Sequence, residues 1–187
     1  MKVNKFSPRL IAIIILCILF IATQIVGKIN TQNLKNKLEN EFLKEKIGIQ
    51  IVNIVEGNVI DVNFLKNKPD NYKTTERVIM IGVKSPSLNM YNLQDEEAYS
   101  KEAFDFTFKE LYEEYGELQL DLRDGERDEF GRIKGYIWIN NHLFNQLIIE
   151  QGYGKVNEDE NFNTNRKELF KKAQNYAIMN KLGIWRK

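Results

Sequence analysis

The hydrophobic rhythm of the chain changes twice. From Leu10 to Val26 apolar residues run almost unbroken, with Thr23 and Gln24 the polar exceptions. Seventeen helical residues at about 1.5 Å each reach roughly 25 Å, slightly short of a ~30 Å hydrocarbon core, and Phe6 and a snorkelling Arg9 make up the difference. Between Ile29 and Ile47 the residues turn to Asn, Lys and Glu, and Leu34, Leu38 and Phe42 recur at i, i+4. That spacing puts one thin apolar stripe on a polar helix, which Gly48 ends. Beyond Gly48 the period falls to two. Residues 49–55 read as a strand, Glu56-Gly57-Asn58 as a tight turn, and residues 59–64 as the returning strand. A loop around Lys68-Pro69-Asp70-Asn71 leads to a third strand over 77–83, which Ser85-Pro86 ends. Residues 96–115 read as a helix with Ala103, Phe106 and Leu111 inward. Leu118, Leu120 and Leu122 alternate with Gln119 and Asp121 as a fourth strand, and residues 134–139 form a fifth, turned by Asn140-Asn141. A short helix over 144–151 ends at Gly152, and a last helix covers about 166–180. This α+β order predicts a small five-stranded OB-fold β-barrel with three flanking helices, preceded by a transmembrane helix and a helical stalk.

The expected division is a basic segment at 1–9, a transmembrane anchor at 10–27, a polar helical stalk at 28–48 and the barrel domain at 49–187. A cleaved signal peptide is the alternative for the apolar run, but it needs small residues before the cut, and Phe20-Ile21-Ala22 and Ile25-Val26-Gly27 fit poorly. A lipoprotein signal does not fit, because bulky Leu16 directly precedes Cys17. Lys28, Lys35 and Lys37 nearly balance the positive charges before the run, so loop charge alone does not orient the span. The basic start followed by an apolar run still has the form of an export signal. The expectation is a single-pass protein of the cell membrane with its body outside the cytoplasm, or a secreted one if the signal is cut.

Charge and composition narrow the chemistry. The 187 residues carry 27 Lys and Arg against 26 Asp and Glu, a formal net charge of +1. A dedicated nucleic-acid binder usually has a basic excess or stripe, since phosphate neutralisation supplies most non-specific affinity, and neither is evident here. Cys17 is the one cysteine and His142 the one histidine, which excludes an intrachain disulfide, Cys/His clusters and histidine-rich zinc sites. Any metal would be held by oxygen.

Four segments then resemble the thermonuclease (staphylococcal-nuclease-like) family in order. Val55-Glu56-Gly57-Asn58-Val59 stands where the family has an Asp-Gly-Asp-Thr turn, and Ile81-Gly82-Val83-Lys84-Ser85-Pro86-Ser87 where it has Ile-Gly-Ile-Asp-Thr/Ala-Pro-Glu. Arg127-Asp128-Glu129-Phe130-Gly131-Arg132 matches its Arg-Asp-x-Tyr-Gly-Arg segment, and Asn145 through Gly152 to Lys155-Val156, with Leu182-Gly183-Ile184-Trp185, match its last third. The resemblance covers about 49–185. It implies an OB barrel and calcium-dependent phosphodiester hydrolysis, using two carboxylates and a carbonyl for the metal, two arginines for the phosphate and a glutamate for the attacking water.

Carried over by position, that set is largely replaced. The first ligand aspartate falls on Asn58, the second on Lys84, the glutamate on Ser87 and the first arginine on Ile79. A divalent ion beside Lys84 would cost roughly 2–8 kcal/mol if the ammonium stayed there. No metal site and no cofactor are therefore expected, with calcium required only if the chain is an active nuclease. Arg132 alone is retained as a candidate catalytic residue; its plainer reading is a turn arginine paired with an acid such as Asp128. Arg77, two residues before Ile79, and an acid among Asp95, Glu96 and Glu97 are candidate replacements, the acids reading otherwise as negative charge at a helix N-terminus. Asp61 faces away from Asn58 on an ideal strand. Trp138 and Trp185 read as packing residues, His142 as an exposed loop residue, and the cations from Arg166 to Lys172 as a solvated helix face. The leading expectation is a catalytically degenerate, membrane-tethered binding or scaffold domain, with a protein or extended ligand on the barrel face as partner. The alternatives are an active phosphodiesterase on DNA or RNA, and nucleic-acid binding without hydrolysis.

Overall fold

The computed structural model describes residues 20–31, 45–88 and 97–186. The chain divides into two compact units, residues 1–41 and 42–187. In the first, residues 20–31 form helix α1, which runs without a break past the expected end of the anchor at residue 27. Phe20, Ile21, Ile25, Val26 and Ile29 are exposed on it. Among the described residues no helix is long and apolar enough to cross a membrane. Residues 10–19 of the expected anchor and 32–44 of the expected stalk lie outside the described residues.

The second unit holds β1 (Ile47–Glu56), β2 (Val59–Lys66), β3 (Thr75–Met80), β4 (Val83–Lys84), α2 (Ser100–Leu111), β5 (Tyr115–Leu120), β6 (Ile133–Ile139), β7 (His142–Leu143), α3 (Phe144–Glu150), β8 (Lys155–Val156) and α4 (Thr164–Met179). Strands β3-β2-β1-β5-β6 pair in that order, and a parallel pairing of β3 with β6 closes them into a five-stranded barrel. Closure needs strong bending, and the β1–β2 ladder supplies it through register shifts at Gly48/Ile49, Ile51/Asn53 and Ile54/Glu56. The alternation read from the sequence turns Ile49, Ile51, Ile60, Val62, Leu118 and Ile137 inward, where they are fully buried. Leu111 of α2, Ile148 of α3 and Phe170 of α4 join the same core.

Four expected features differ. Gly48 does not end a helix but lies in β1, which starts at Ile47 and pairs with β2 and β5. The fourth strand starts earlier, at Tyr115, and stops at Leu120, with Leu122 opening a 3-10 turn, Leu122–Asp124. The third strand does not continue to residue 83: β3 stops at Met80, and β4 pairs instead with β8 in a separate two-stranded sheet. Gly82 makes the break, with φ +75 and so little room that an added Cβ would lie 2.7 Å from the Phe162 ring and 2.9 Å from Phe170. The helix expected over 96–115 is shorter, because Glu113 at φ 63 turns the chain and residues 115–118 pair with β1. Ladder pairing there outweighs a merely permissive helix propensity.

Arg127 ties the barrel to the loop after β5. Its Nη1 and Nη2 donate to the two Glu76 oxygens at 3.0 and 2.9 Å, and Nη1 also donates to the Gly131 carbonyl at 2.8 Å. Those hydrogen bonds hold the Glu76 carboxyl below its ordinary range. Arg127→Ala leaves the buried Glu76 carboxylate the Lys73 N–H but no guanidinium, and is expected to cost about 3 kcal/mol near neutral pH. A depressed folded-state pKa gives stability that is present above the unfolded carboxylate range and lost as pH falls through the folded value. The gap between wild type and variant should therefore narrow in acid, which denaturant titrations at neutral pH and below pH 4 would resolve.

Candidate functional site

Three pieces of chain meet at one rim of the barrel: the Gly57-Asn58 turn between β1 and β2, the segment from the break at Gly82 to Ser87, and the loop from Arg127 to Arg132. Helix α2 fixes the turn. Thr107 Oγ1 donates to the Gly57 carbonyl, and a Cβ on Gly57 would fall 2.3 Å from Ser85 Oγ and 2.9 Å from Ala103. Asn58 is buried beside it, and its Nδ2 donates to the Val83 carbonyl at 2.9 Å. The amide thus serves as a brace between the hairpin and β4.

Lys84 is exposed and lies directly opposite Lys155 across the β4–β8 ladder. Calcium takes six to eight oxygens, several of them carboxylate. At the positions the resemblance assigns to its ligands stand an amide spent on a backbone carbonyl and one of a pair of ammonium groups. These residues do not fit the ion. Among the described residues no three acidic, histidine or cysteine side chains are grouped to hold a metal.

Arg132 is held by its own loop. Its Nε donates to Asp128 Oδ2 at 2.6 Å, its backbone N–H to Asp128 Oδ1 at 2.9 Å, and its guanidinium lies 5.0 Å from the Phe130 ring centroid. Asp128 Oδ1 also accepts the Phe130 N–H at 3.0 Å. Arg77 is likewise engaged: Nε and Nη2 donate to Asp61 at 2.7 and 3.1 Å, and Asn53 Nδ2 donates to the same carboxylate at 3.0 Å. Burial works to raise the Asp61 pKa, but these hydrogen bonds outweigh it and leave it lowered.

Glu56, the first residue of the turn motif, feels the charge of both arginines. Burial raises its pKa, while the positive charges of Arg132 and Arg77 and a hydrogen bond with the Ser87 side chain oppose that, and Glu97 adds to it. Glu97 itself reaches Ser87, whose backbone N–H donates to Glu97 Oε2 at 3.2 Å, and its own N–H donates to the Ser87 carbonyl at 3.4 Å. Of the candidate replacement acids, Glu97 therefore lies at the rim; Asp95 and Glu96 lie outside the described residues.

A groove of about 420 Å³ runs beside this rim, lined among others by Ile79, Val83, Asp128, Glu129, Lys134 and Glu160. Lys134, almost wholly buried, places Nζ 2.8 Å from Asp124 Oδ2 and 3.2 Å from Glu160 Oε1. Burial works against its charge, but these carboxylates raise its pKa on balance. Glu160 Oε2 in turn accepts the Gly82 N–H at 2.8 Å, so an ion pair on β6 latches the loop after β8 to the chain break.

The remaining singled-out residues serve packing or the surface. Trp138 Nε1 donates to Gln119, and its ring is flanked by Lys46 at 4.2 Å and Arg166 at 5.0 Å. Trp185 is partly buried in the closing 3-10 turn Gly183–Trp185, and His142 is exposed in β7. Lys167 and Lys171 share Glu158, at 3.3 and 3.6 Å.

A closed five-stranded barrel with helices packed outside it, carrying a hairpin turn, a chain break and an arginine loop at one rim, is an α+β barrel of the OB type. The sequence profile of the staphylococcal nuclease homologue family matches residues 77–187. The thermonuclease of Staphylococcus hyicus is 27% identical over 174 residues, spanning 93% of this chain and 91% of that protein. The thermonuclease of Staphylococcus intermedius is 30% identical over 110 residues, 59% of this chain and 63% of its own, and endonuclease YncB of Bacillus subtilis is 27% identical over 139 residues, 74% and 64%. The chain belongs to the staphylococcal nuclease homologue family.

Glu56, Lys155 and the Lys134–Glu160 pair were not singled out as site residues from the sequence. Glu56 was visible in the turn motif, where its acidic character was the available signal. The other three depend on which distant strands pair, and local pattern carries no mark of that.

Proposed function

We propose that this thermonuclease-like domain has lost calcium-dependent phosphodiester hydrolysis and acts as a binding or scaffold module. In this reading residues 10–27 tether it to the cell membrane, with the barrel outside the cytoplasm and a protein or extended ligand on the barrel face. The observation that carries the loss is the Lys84–Lys155 pairing beside an Asn58 amide committed to the Val83 carbonyl. Ser87 in place of a glutamate removes a general base worth about 10²–10⁴ in rate, and Ile79 in place of an arginine a donor worth about 10²–10³. The exposed apolar residues of α1 support the tether.

One observation favours a second reading, an active enzyme with an altered set: Glu97 at Ser87, and Arg77 and Arg132 acting by charge on Glu56. Against it, both guanidiniums are already engaged by aspartates. The test is direct. The full chain is expected to leave single-stranded DNA and RNA intact in calcium, magnesium or manganese. Cleavage that disappears in Arg132→Ala would overturn the proposal and establish the altered set.

A further inference from the structure

Strand β4 presents two faces with different partners. Val83 and Val156 are buried and opposite one another, so alternation turns Lys84 and Lys155, also opposite one another, outward together. Directly paired residues on antiparallel strands have Cβ atoms about 5 Å apart, and like charges so placed are destabilising. An opposite charge at either position would relieve this, yet among the described residues neither ammonium has a carboxylate within ion-pair distance. The nearby acid on the β8 side, Glu158, is shared by Lys167 and Lys171. The Val156 N–H donates to Gln174 Oε1, which places α4 and its Lys171, one turn before Gln174, beside the same small sheet.

We propose that Lys84 and Lys155 form a seat for a phosphate group that needs no metal ion. Two ammonium groups about 5 Å apart at their stems can each donate to a different oxygen of one phosphate, and a dianionic phosphate neutralises both. The ammonium at Lys84 supplies the positive charge that a metal would otherwise bring, without dehydrating an ion. This deepens the binding-module reading and rests on it, since a calcium ion beside Lys84 would compete for the same space.

The experiment is calorimetric titration of the full chain with inorganic pyrophosphate and, separately, with a short oligothymidylate, both in excess chelator. The two arms distinguish a free phosphate from a phosphodiester backbone. At least one probe is expected to bind with chelator present and to weaken as salt rises. Lys84→Asp, which creates an opposite-charge pair with Lys155, should weaken binding at least about ten-fold, Lys155→Ala several-fold, and Lys84→Arg little, one charge-assisted contact being worth about that much. Both positions are exposed, and thermal melts of each variant confirm folding. No binding of either probe, or equal binding by folded Lys84→Asp, overturns the seat. A calcium titration separates the two proposals: calcium binding to the wild-type chain sinks the loss of metal chemistry, while phosphate binding in chelator still upholds the seat.

Discussion

Asn145→Ala is expected to destabilise the barrel by about 3–5 kcal/mol, lowering the melting temperature by roughly 10–15 °C. Asn145 is fully buried at the start of α3. Its Oδ1 accepts the Ile137 N–H at 2.8 Å, and its Nδ2 donates to the Ile81 carbonyl at 2.9 Å and the Gly135 carbonyl at 3.2 Å. Gly135 keeps the Ile81 N–H at 3.0 Å after truncation, but the buried Ile137 N–H and the Ile81 carbonyl lose the amide that they share. Each such group costs about 1–3 kcal/mol, and the vacated volume adds to it. The effect is large because this one side chain satisfies backbone where β3 has ended and β4 has not begun. Asn145→Asp should be no better near neutral pH, since it removes the donor and buries a charge against two carbonyls. Thermal unfolding followed by circular dichroism measures this; a loss below about 1 kcal/mol would mean that the break is held some other way.

The second large effect is a gain. Asn58→Asp, Lys84→Asp, Ser87→Glu and Ile79→Arg together should bring calcium-dependent cleavage of single-stranded DNA at least about 10²-fold above the wild-type rate. The order of installation separates the contributions. The two aspartates alone should produce calcium binding detectable by calorimetry with little cleavage, because the base and the phosphate donor are still missing. Three of the four positions can accept the change readily: Lys84 and Ser87 are exposed, and Ile79 is partly exposed on the groove wall. Asn58 is the costly one, since an aspartate there cannot donate to the Val83 carbonyl; a stability loss of about 1 kcal/mol should accompany it. Initial rates of substrate loss, with and without chelator, provide the readout. A variant that binds calcium and still does not cut would place further losses outside these four positions.

How much of this was legible beforehand differs between fold and site. The β1–β2 hairpin followed from strict alternation around Glu56-Gly57-Asn58, and the i, i+4 spacing of Asp128 and Arg132 made their pairing readable. Glu97 could be nominated as an acid near Ser87, but its hydrogen bond to the Ser87 N–H is a tertiary contact that no local pattern encodes. The third strand expected from the sequence runs three residues past Met80 because Ile81 and Val83 are as apolar as their neighbours. Only the packing of Phe162 and Phe170 against Gly82 reveals why the ladder must stop there.

By itself the sequence determined the alternation that makes the strands, the turns between neighbouring elements, and the charge at each family position, because these depend on residues within a few places of one another. The tertiary structure alone decided that Lys84 faces Lys155, that Glu160 holds both the Gly82 N–H and Lys134, and that Asn145 bridges the break. Those contacts join segments far apart in the chain, and they exist only because closing the barrel leaves each segment a single partner that satisfies its backbone and buries its apolar face.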